Sequence, residues 1–257
     1  MFKYVSSLFH KKSPPSNVVN WAYDHQRIRQ LEGLALTNFA PEPALTYYYH
    51  DVKSWFIKCP AFLSSLQNVY IIRSPIDMEV SYNRIDPNNK KMMVFKPSHS
   101  LVRDRILEPR FKEIEGSNAY EVFSLKMIPY VFWSDSSIMM DVIHPFLEWE
   151  NPNKVRVIGG EFNIGKWIRG IEYAIEVLEP VGILRLRRGD PLLYVRFRAD
   201  NSHTKIHLRE SIITEEIKEQ MKQNALLKTV MRGCPIEAVY ELRRKFNERK
   251  IKAQPTS

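Results

Sequence analysis

The segment at residues 160–166, GEFNIGK, matches the first seven positions of a phosphate-binding loop. Such a loop curls backbone amides around a phosphate, needs a serine or threonine next for magnesium, and opens a helix. Here Trp167 follows Lys166, and strand-like sequence lies on both sides of the segment. The segment therefore does not fit a complete phosphate-binding loop, and we expect no nucleotide cofactor there.

A second candidate is the histidine pair His203 and His207, which are four residues apart with Glu210 nearby. Residues at this spacing share a face of either a helix or a strand, so the pair could begin a metal site. No third ligand is identifiable in the sequence, and two surface histidines explain the pattern as well. We retain His203 and His207 as candidate metal ligands, and the sequence predicts no bound cofactor.

Other catalytic arrangements do not emerge from the sequence. The commonest iron site of a jelly-roll oxygenase has a histidine and a carboxylate two residues apart, and no histidine here has that neighbour. No Gly-x-Ser-x-Gly nucleophile elbow is present. Cys59 and Cys234 show no metal or redox spacing and are expected to stay reduced. The sequence identifies no catalytic residue and favours a protein that is not an enzyme.

Positive charge is concentrated toward the C-terminal end of the chain. The 257 residues carry a formal net charge of +9. Residues 182–257 contain 17 Lys and Arg against 9 Asp and Glu, which gives +8. Such a basic region can contact nucleic acid, an acidic partner or an anionic surface, and it can equally be a solvated face.

Five cationic residues are the candidate contacts to a protein partner or to nucleic acid. Arg196 and Arg198 alternate with apolar residues and should lie on one face of a strand. Arg243, Arg244 and Lys245 form a cluster that is predicted to lie on the outside of a helix. Cationic side chains on an aromatic-rich sheet or on a basic helix can bind phosphates, so a nucleic-acid interface is one alternative.

The elements that would position these residues are mostly strands. Apolar and polar residues alternate in three neighbouring runs, at 171–177, 184–187 and 193–198. Short breaks join the runs, and Gly189 supplies turn chemistry before the last of them. The pattern predicts an antiparallel meander.

Earlier parts of the chain also favour strands. Strand-like runs occur at residues 45–50, 69–73, 78–82 with a return at 92–95, 120–133 and 137–149. This cadence, about nine to twelve strands before residue 200, is typical of a sandwich or a jelly-roll-like barrel.

Both ends of the chain contain helical patterns. Near the start, Trp21, Ile28 and Leu31 fit one helical face, and near the end Thr214 fits an N-cap and Gly233 a helix end. The apolar faces of the two C-terminal helices are predicted to include Ile217, Met221 and Ala225, then Ile236, Val239, Tyr240 and Phe246.

The predicted fold class is β-rich α+β, an antiparallel β-sandwich or jelly-roll-like barrel with a C-terminal helical pair. Residues 1–43 are predicted to form a lead-in with one candidate helix and residues 44–210 the β domain. Residues 211–257 would form basic helices packed on that domain. No apolar run approaches the length of a membrane span and no signal peptide is recognisable, so we expect a cytoplasmic protein.

Two parts of the chain resemble uncharacterised proteins of T4-like tailed phages. They are residues 58–62 (KCPAF) with 68–75 (NVYIIRSP), and residues 165–192. The resemblance implies a phage-encoded protein and carries no known activity or functional residue. The sequence therefore predicts a non-enzymatic binding or assembly protein with a protein partner or self-association. The alternatives are a metal-dependent enzyme inside a barrel and a nucleic-acid-binding protein.

Overall fold

Period-two burial of apolar side chains makes strands the main elements of this fold. A computed structural model describes residues 17–34, 36–51, 58–84, 93–97, 107–109, 121–148, 155–179, 181–201, 204–231 and 233–253. In β14 (Pro191–Arg198), for example, Leu193, Val195 and Phe197 point into the core. This is the alternation that the sequence predicts for that run.

The described residues form fifteen strands and five helices. The strands are β1 Val18–Tyr23, β2 Glu42–Pro43, β3 Val69–Arg73, β4 Met78–Arg84, β5 Met93–Pro97, β6 Leu107–Pro109, β7 Glu121–Leu125, β8 Tyr130–Trp133, β9 Met139–Ile143, β10 Val155–Val157, β11 Gly160–Asn163, β12 Tyr173–Val177, β13 Val181–Leu186, β14 Pro191–Arg198 and β15 His207–Glu210. The helices are α1 His25–Gln30, α2 Ala44–Asp51, α3 Pro60–Ser65, α4 Glu215–Val230 and α5 Ile236–Ala253.

The strands pair into four sheets. Their strand orders are β15-β1-β8, β10-β12-β7-β6, β11-β9-β14-β3-β2 and β13-β4-β5. All the pairings are antiparallel except that of β1 with β15. The β-rich α+β class with antiparallel sheets is therefore confirmed, and no sheet closes into a barrel within the described residues.

One apolar core joins the four sheets. Each sheet contributes buried side chains to it, such as Trp21, Ile175, Leu184 and Phe197. The second face of the five-stranded sheet is covered only in part, where α2 and α3 pack against it through Tyr48, Phe62 and other residues. Apolar burial on this scale is the main stabilising term of the fold.

The predicted meander of β12, β13 and β14 is wrong. These three consecutive strands enter three different sheets, where β12 pairs with β7 and β10, β13 pairs with β4, and β14 pairs with β3 and β9. The alternation in the sequence shows which residues are buried, but it carries no information on which strand lies alongside. Distant strands supply the partners.

The strand prediction for residues 45–50 is also wrong, because this run is helical. In α2, Ala44 and Tyr48 lie one turn apart and are both buried against β3 and β14. Three consecutive tyrosines have strand propensity, but packing of one helical face overrides such local preferences.

The helix predicted near the start begins later than expected. Trp21 lies in β1, whereas Ile28 lies in α1 and Leu31 caps its end. The carboxylate of Asp24 accepts hydrogen bonds from the amides of Gln26 and Arg27, so it fixes the start of the helix after the strand.

The C-terminal helical pair is confirmed. Thr214 caps α4, with its hydroxyl accepting from the Ile217 amide, and Gly233 adopts a positive φ of 87° between the two helices. Ile217 and Met221 pack on Trp133 and its neighbours, whereas Ala225 and Phe246 are exposed, contrary to the prediction. The division of the chain at residues 43 and 210 stays a prediction, although β1 supplies core residues from within the first segment.

Candidate functional site

The structure brings Arg196 and Arg198 into an ion-pair network on one face of the five-stranded sheet. Arg196 donates from Nε and Nη2 to Asp141 Oδ2 at 3.0 and 2.8 Å. Arg198 donates from Nη2 to Asp141 Oδ1 at 2.9 Å and to the carboxylate of Glu161. The pairing register of β14, β9 and β11 places Arg196 beside Asp141 and Asp141 beside Glu161. We call these four residues the sheet-face network.

The charges of the sheet-face network balance, since two guanidinium groups meet two carboxylates. Asp141 is buried, and burial alone would raise its pKa, but Arg198 and Arg196 outweigh that effect and lower it. Arg196 and Arg198 were predicted as contacts to phosphates or to a partner. Their side chains are partly exposed, but their charge is already compensated within the sheet.

The lowered pKa of Asp141 makes a prediction about acid stability. Because the folded pKa lies below the unfolded value of about 3.9, the network stabilises the protein above that pH. The stabilisation is lost as the pH falls through the folded pKa. We expect Asp141→Asn to lower the free energy of unfolding by about 1 kcal/mol at pH 7, a small value because the arginines are partly solvated.

Urea unfolding of both proteins between pH 7 and pH 2 measures this effect. The difference between wild type and Asp141→Asn should shrink toward zero at the acid end. A difference that stays constant with pH would mean that the charge of Asp141 contributes nothing to stability. Only its uncharged contacts would then matter.

In the second predicted cationic cluster, Arg243 is buried, whereas Arg244 and Lys245 are exposed. Arg243, expected on the outside of α5, is buried with 9% of its surface exposed. It follows Ile236 and Val239 on the side of α5 that faces the body of the protein, and its Nη2 donates to Gln220 Oε1 at 2.7 Å. Burial lowers the pKa of Arg243. Within the described part of the chain, its Nη1 atom is buried without a hydrogen-bond partner.

Arg244 and Lys245 do lie on the outside of α5, as predicted. Both form ion pairs with Glu241, at 2.8 Å for Arg244 Nη2 and 3.6 Å for Lys245 Nζ. Glu241 therefore offsets part of their charge. The cationic surface of α5 is smaller than the sequence predicts.

The histidine pair is only half described. His203 lies outside the described residues, and His207 is an exposed residue of β15. Among the described residues, no three His, Cys, Asp or Glu side chains are grouped so that they could hold a metal ion. The metal site at His203 and His207 stays a prediction.

The segment that resembles a phosphate loop forms a strand and a tight turn. Its residues from Gly160 to Asn163 are β11, and the Asn163 side chain accepts hydrogen bonds from the amides of Gly165 and Lys166 at 3.0 and 3.1 Å. Those amides therefore point at a side chain of the same turn. The Lys166 ammonium lies over the Tyr240 ring, 5.8 Å from its centre.

Sequence reasoning missed a groove between α1 and α4. Its volume is about 1520 Å³, and its apolar floor includes Ala22 and Met221. Three acidic and three basic side chains line it, namely Asp24, Glu32, Glu210, Arg29, Lys218 and Lys222. The mixed charge favours neither an anion nor a cation as ligand.

Sequence reasoning also missed two exposed apolar residues on α4. Leu226 and Val230 lie one turn apart, with 66% and 70% of their surface exposed. The inward side of the helix is occupied instead by Asn224 and Leu227, which are buried. The i, i+4 spacing of Leu226 and Val230 is visible in the sequence. The prediction, however, counted only Ile217, Met221 and Ala225 as the apolar face of this helix. We call Leu226 and Val230 the α4 apolar pair.

No family model matches this chain, and no curated protein shows significant similarity to it. In the described parts of the chain, no helix is long and apolar enough to span a membrane.

Proposed function

We propose that this is a phage-encoded, non-enzymatic binding or assembly protein that contacts a partner protein through the outer side of its C-terminal helices. The observation that carries the proposal is the α4 apolar pair, Leu226 and Val230. Two large apolar side chains at i, i+4 spacing form a compact anchor for a partner. The phage origin rests on the resemblance of residues 58–75 and 165–192 alone.

Energetics favours the helices over the sheet face as the contact surface. Burying an exposed Leu or Val side chain contributes about 1.5–3 kcal/mol. In the sheet-face network, each arginine already has a carboxylate partner, so a new ligand would have to replace an existing ion pair. A partner gains more by covering α4.

The expected partner has an apolar patch bordered by acidic residues. Lys222 lies one turn before Leu226 and is exposed, and Arg244 and Lys245 are exposed on the neighbouring helix. Charges at the rim of an interface mainly raise the association rate and set specificity, whereas buried apolar anchors set most of the affinity.

Leu226→Glu combined with Val230→Glu should weaken partner binding at least tenfold, because two carboxylates would enter the contact in place of apolar anchors. Both side chains are exposed, so the melting temperature should stay within a few degrees of wild type. The partner would be captured from phage-infected cells with wild-type protein as bait. It would then be purified, and its affinity for both proteins measured by calorimetry.

A matched control is Ile183→Glu, an exposed apolar position on β13, far from α4 in the sequence. It should leave binding of the purified partner unchanged. Equal binding by wild type and the Leu226→Glu, Val230→Glu variant would overturn the proposal for this surface.

A nucleic-acid interface predicts a different result. Affinity for DNA or RNA would fall steeply with salt, and replacing Arg244 and Lys245 by alanine would reduce the salt dependence. Such behaviour, with the α4 apolar pair having no effect, would replace the present proposal with nucleic-acid binding.

A further inference from the structure

Two buried polar atoms between α4 and α5 have no hydrogen-bond partner. They are Asn224 Oδ1 and Arg243 Nη1, and among the described residues no other buried side-chain nitrogen or oxygen atom lacks a partner. Asn224 is fully buried, and Arg243 is 9% exposed. A buried polar atom that forms no hydrogen bond is destabilising, so each such atom in a folded protein requires an explanation.

The two side chains belong to the same layer of the helix pair. The Arg243 guanidinium donates from Nη2 to Gln220 Oε1 at 2.7 Å, and Gln220 lies one turn before Asn224 on α4. Leu227, three residues after Asn224, packs in one cluster with Val239, which lies on α5. Val239 in turn lies one turn before Arg243. The residue numbers run in opposite directions on the two helices, so the helices are antiparallel and both side chains lie between them.

The existing hydrogen bonds determine which end of each side chain remains free. Asn224 Nδ2 donates to the carbonyl of Ile168 at 2.8 Å. Because a carbonyl only accepts, this bond orients the amide and leaves Oδ1 as the free acceptor. Burial lowers the pKa of Arg243, and no described carboxylate opposes that effect. Its Nη1 is therefore a free donor that no acidic side chain compensates.

These two atoms restrict the chemistry of a ligand that joins them. The ligand must accept a hydrogen bond from Arg243 Nη1 and donate one to Asn224 Oδ1. A halide or a carboxylate ion only accepts, and a metal ion or an ammonium group cannot accept from Nη1. Water does both, and a buried water typically forms about three hydrogen bonds to polar groups that lack other partners.

We propose that the α4–α5 interface is a binding site for one ordered water molecule, which accepts from Arg243 Nη1 and donates to Asn224 Oδ1. Its second hydrogen is available for Gln220 Oε1, which keeps a lone pair beside the bond from Arg243. The water connects α5 to α4 and, through the bond from Asn224 to Ile168, to the segment after β11. The site is separate from the α4 apolar pair, and the inference does not depend on the proposed function.

A crystal structure of the full chain, at a resolution that shows ordered water, tests the site directly. One water molecule should lie within hydrogen-bond distance of both Asn224 Oδ1 and Arg243 Nη1. In solution, the side-chain amide protons of Asn224 should show nuclear Overhauser effects to a water molecule that exchanges more slowly than surface water. A direct hydrogen bond from Arg243 to Asn224, or the absence of a water shared by the two atoms, would overturn the inference.

Urea unfolding of three variants measures the coupling that the water provides. Asn224→Ala and Arg243→Met each remove one end of the bridge, so the second substitution should cost less once the first has been made. The loss in the folding equilibrium constant of the double variant should be smaller than the product of the two single losses by about threefold or more, as expected for groups in one hydrogen-bond network.

Arg244→Met is the matched control, because Arg244 is exposed and pairs with Glu241 on the same helix. Its effect should multiply with that of Asn224→Ala. If the losses for Arg243→Met and Asn224→Ala also multiplied, the two side chains would not be joined and the inference would be wrong. Since no substitution at Leu226 or Val230 is involved, failure of the proposed function leaves both tests unaffected.

Discussion

Replacing Phe197 with alanine is expected to lower the free energy of unfolding by about 3–5 kcal/mol, the range for removing a large aromatic side chain from a packed core. Phe197 is 1% exposed and belongs to β14. Its ring centre lies 5.8 Å from that of Tyr70 and 5.4 Å from that of Phe132. Because Phe132 belongs to another sheet, the cavity would open where two sheets meet.

Phe246→Ala is the matched control for this prediction. The sequence places Phe246 on the apolar face of α5, yet the structure exposes about half of it. Its replacement should change the unfolding free energy by no more than about 0.5 kcal/mol. Urea unfolding of wild type and both variants, measured side by side, gives the two changes in unfolding free energy. A loss below about 1 kcal/mol for Phe197→Ala would contradict the packing described for this core.

Gly165→Ala should destabilise the protein by about 1–3 kcal/mol, the usual cost of overpacking. A β-carbon at this position would lie 2.3 Å from the carbonyl oxygen of Ser136 and 3.1 Å from its carbonyl carbon. Both are backbone atoms, so the turn after β11 would have to move. The Asn163 hydrogen bonds to the amides of Gly165 and Lys166 would be disturbed with it.

Gly160 offers the control within the same segment. A β-carbon there meets nothing within 4 Å, so Gly160→Ala should be neutral or slightly stabilising. Thermal unfolding of the two variants compares them directly. If both substitutions lowered the melting temperature equally, the close contact with the Ser136 carbonyl would not explain why glycine is needed at position 165.

Local pattern predicts much of the secondary structure. The run at 69–73 becomes β3, the run at 78–82 becomes part of β4, and Thr214 caps α4. Strand propensity and helix capping depend on residues that are neighbours in the sequence. Pairing could not be predicted in this way. The prediction of a meander was wrong because the strands that pair with β12, β13 and β14 come from distant parts of the chain.

For the candidate site, too, the sequence predicts local features but not the partners that lie far away along the chain. Alternation correctly places Arg196 and Arg198 on one face, but their acidic partners lie 55 and 37 residues away along the chain, at Asp141 and Glu161. Arg243 was predicted outside α5 because arginine is usually solvated. It is buried because its position in the helix faces the body, where Gln220 of α4 accepts its hydrogen bond.

The parallel pairing of β1 with β15 has a consequence for the way this protein is made. Asn20 on β1 accepts hydrogen bonds from Arg209 on β15, a partner 189 residues later. During translation, β1 therefore leaves the ribosome long before its neighbour has been synthesised. Such long-range contacts close late and slowly. The sheet that contains β1 is therefore completed only after residues 207–210 have also left the ribosome.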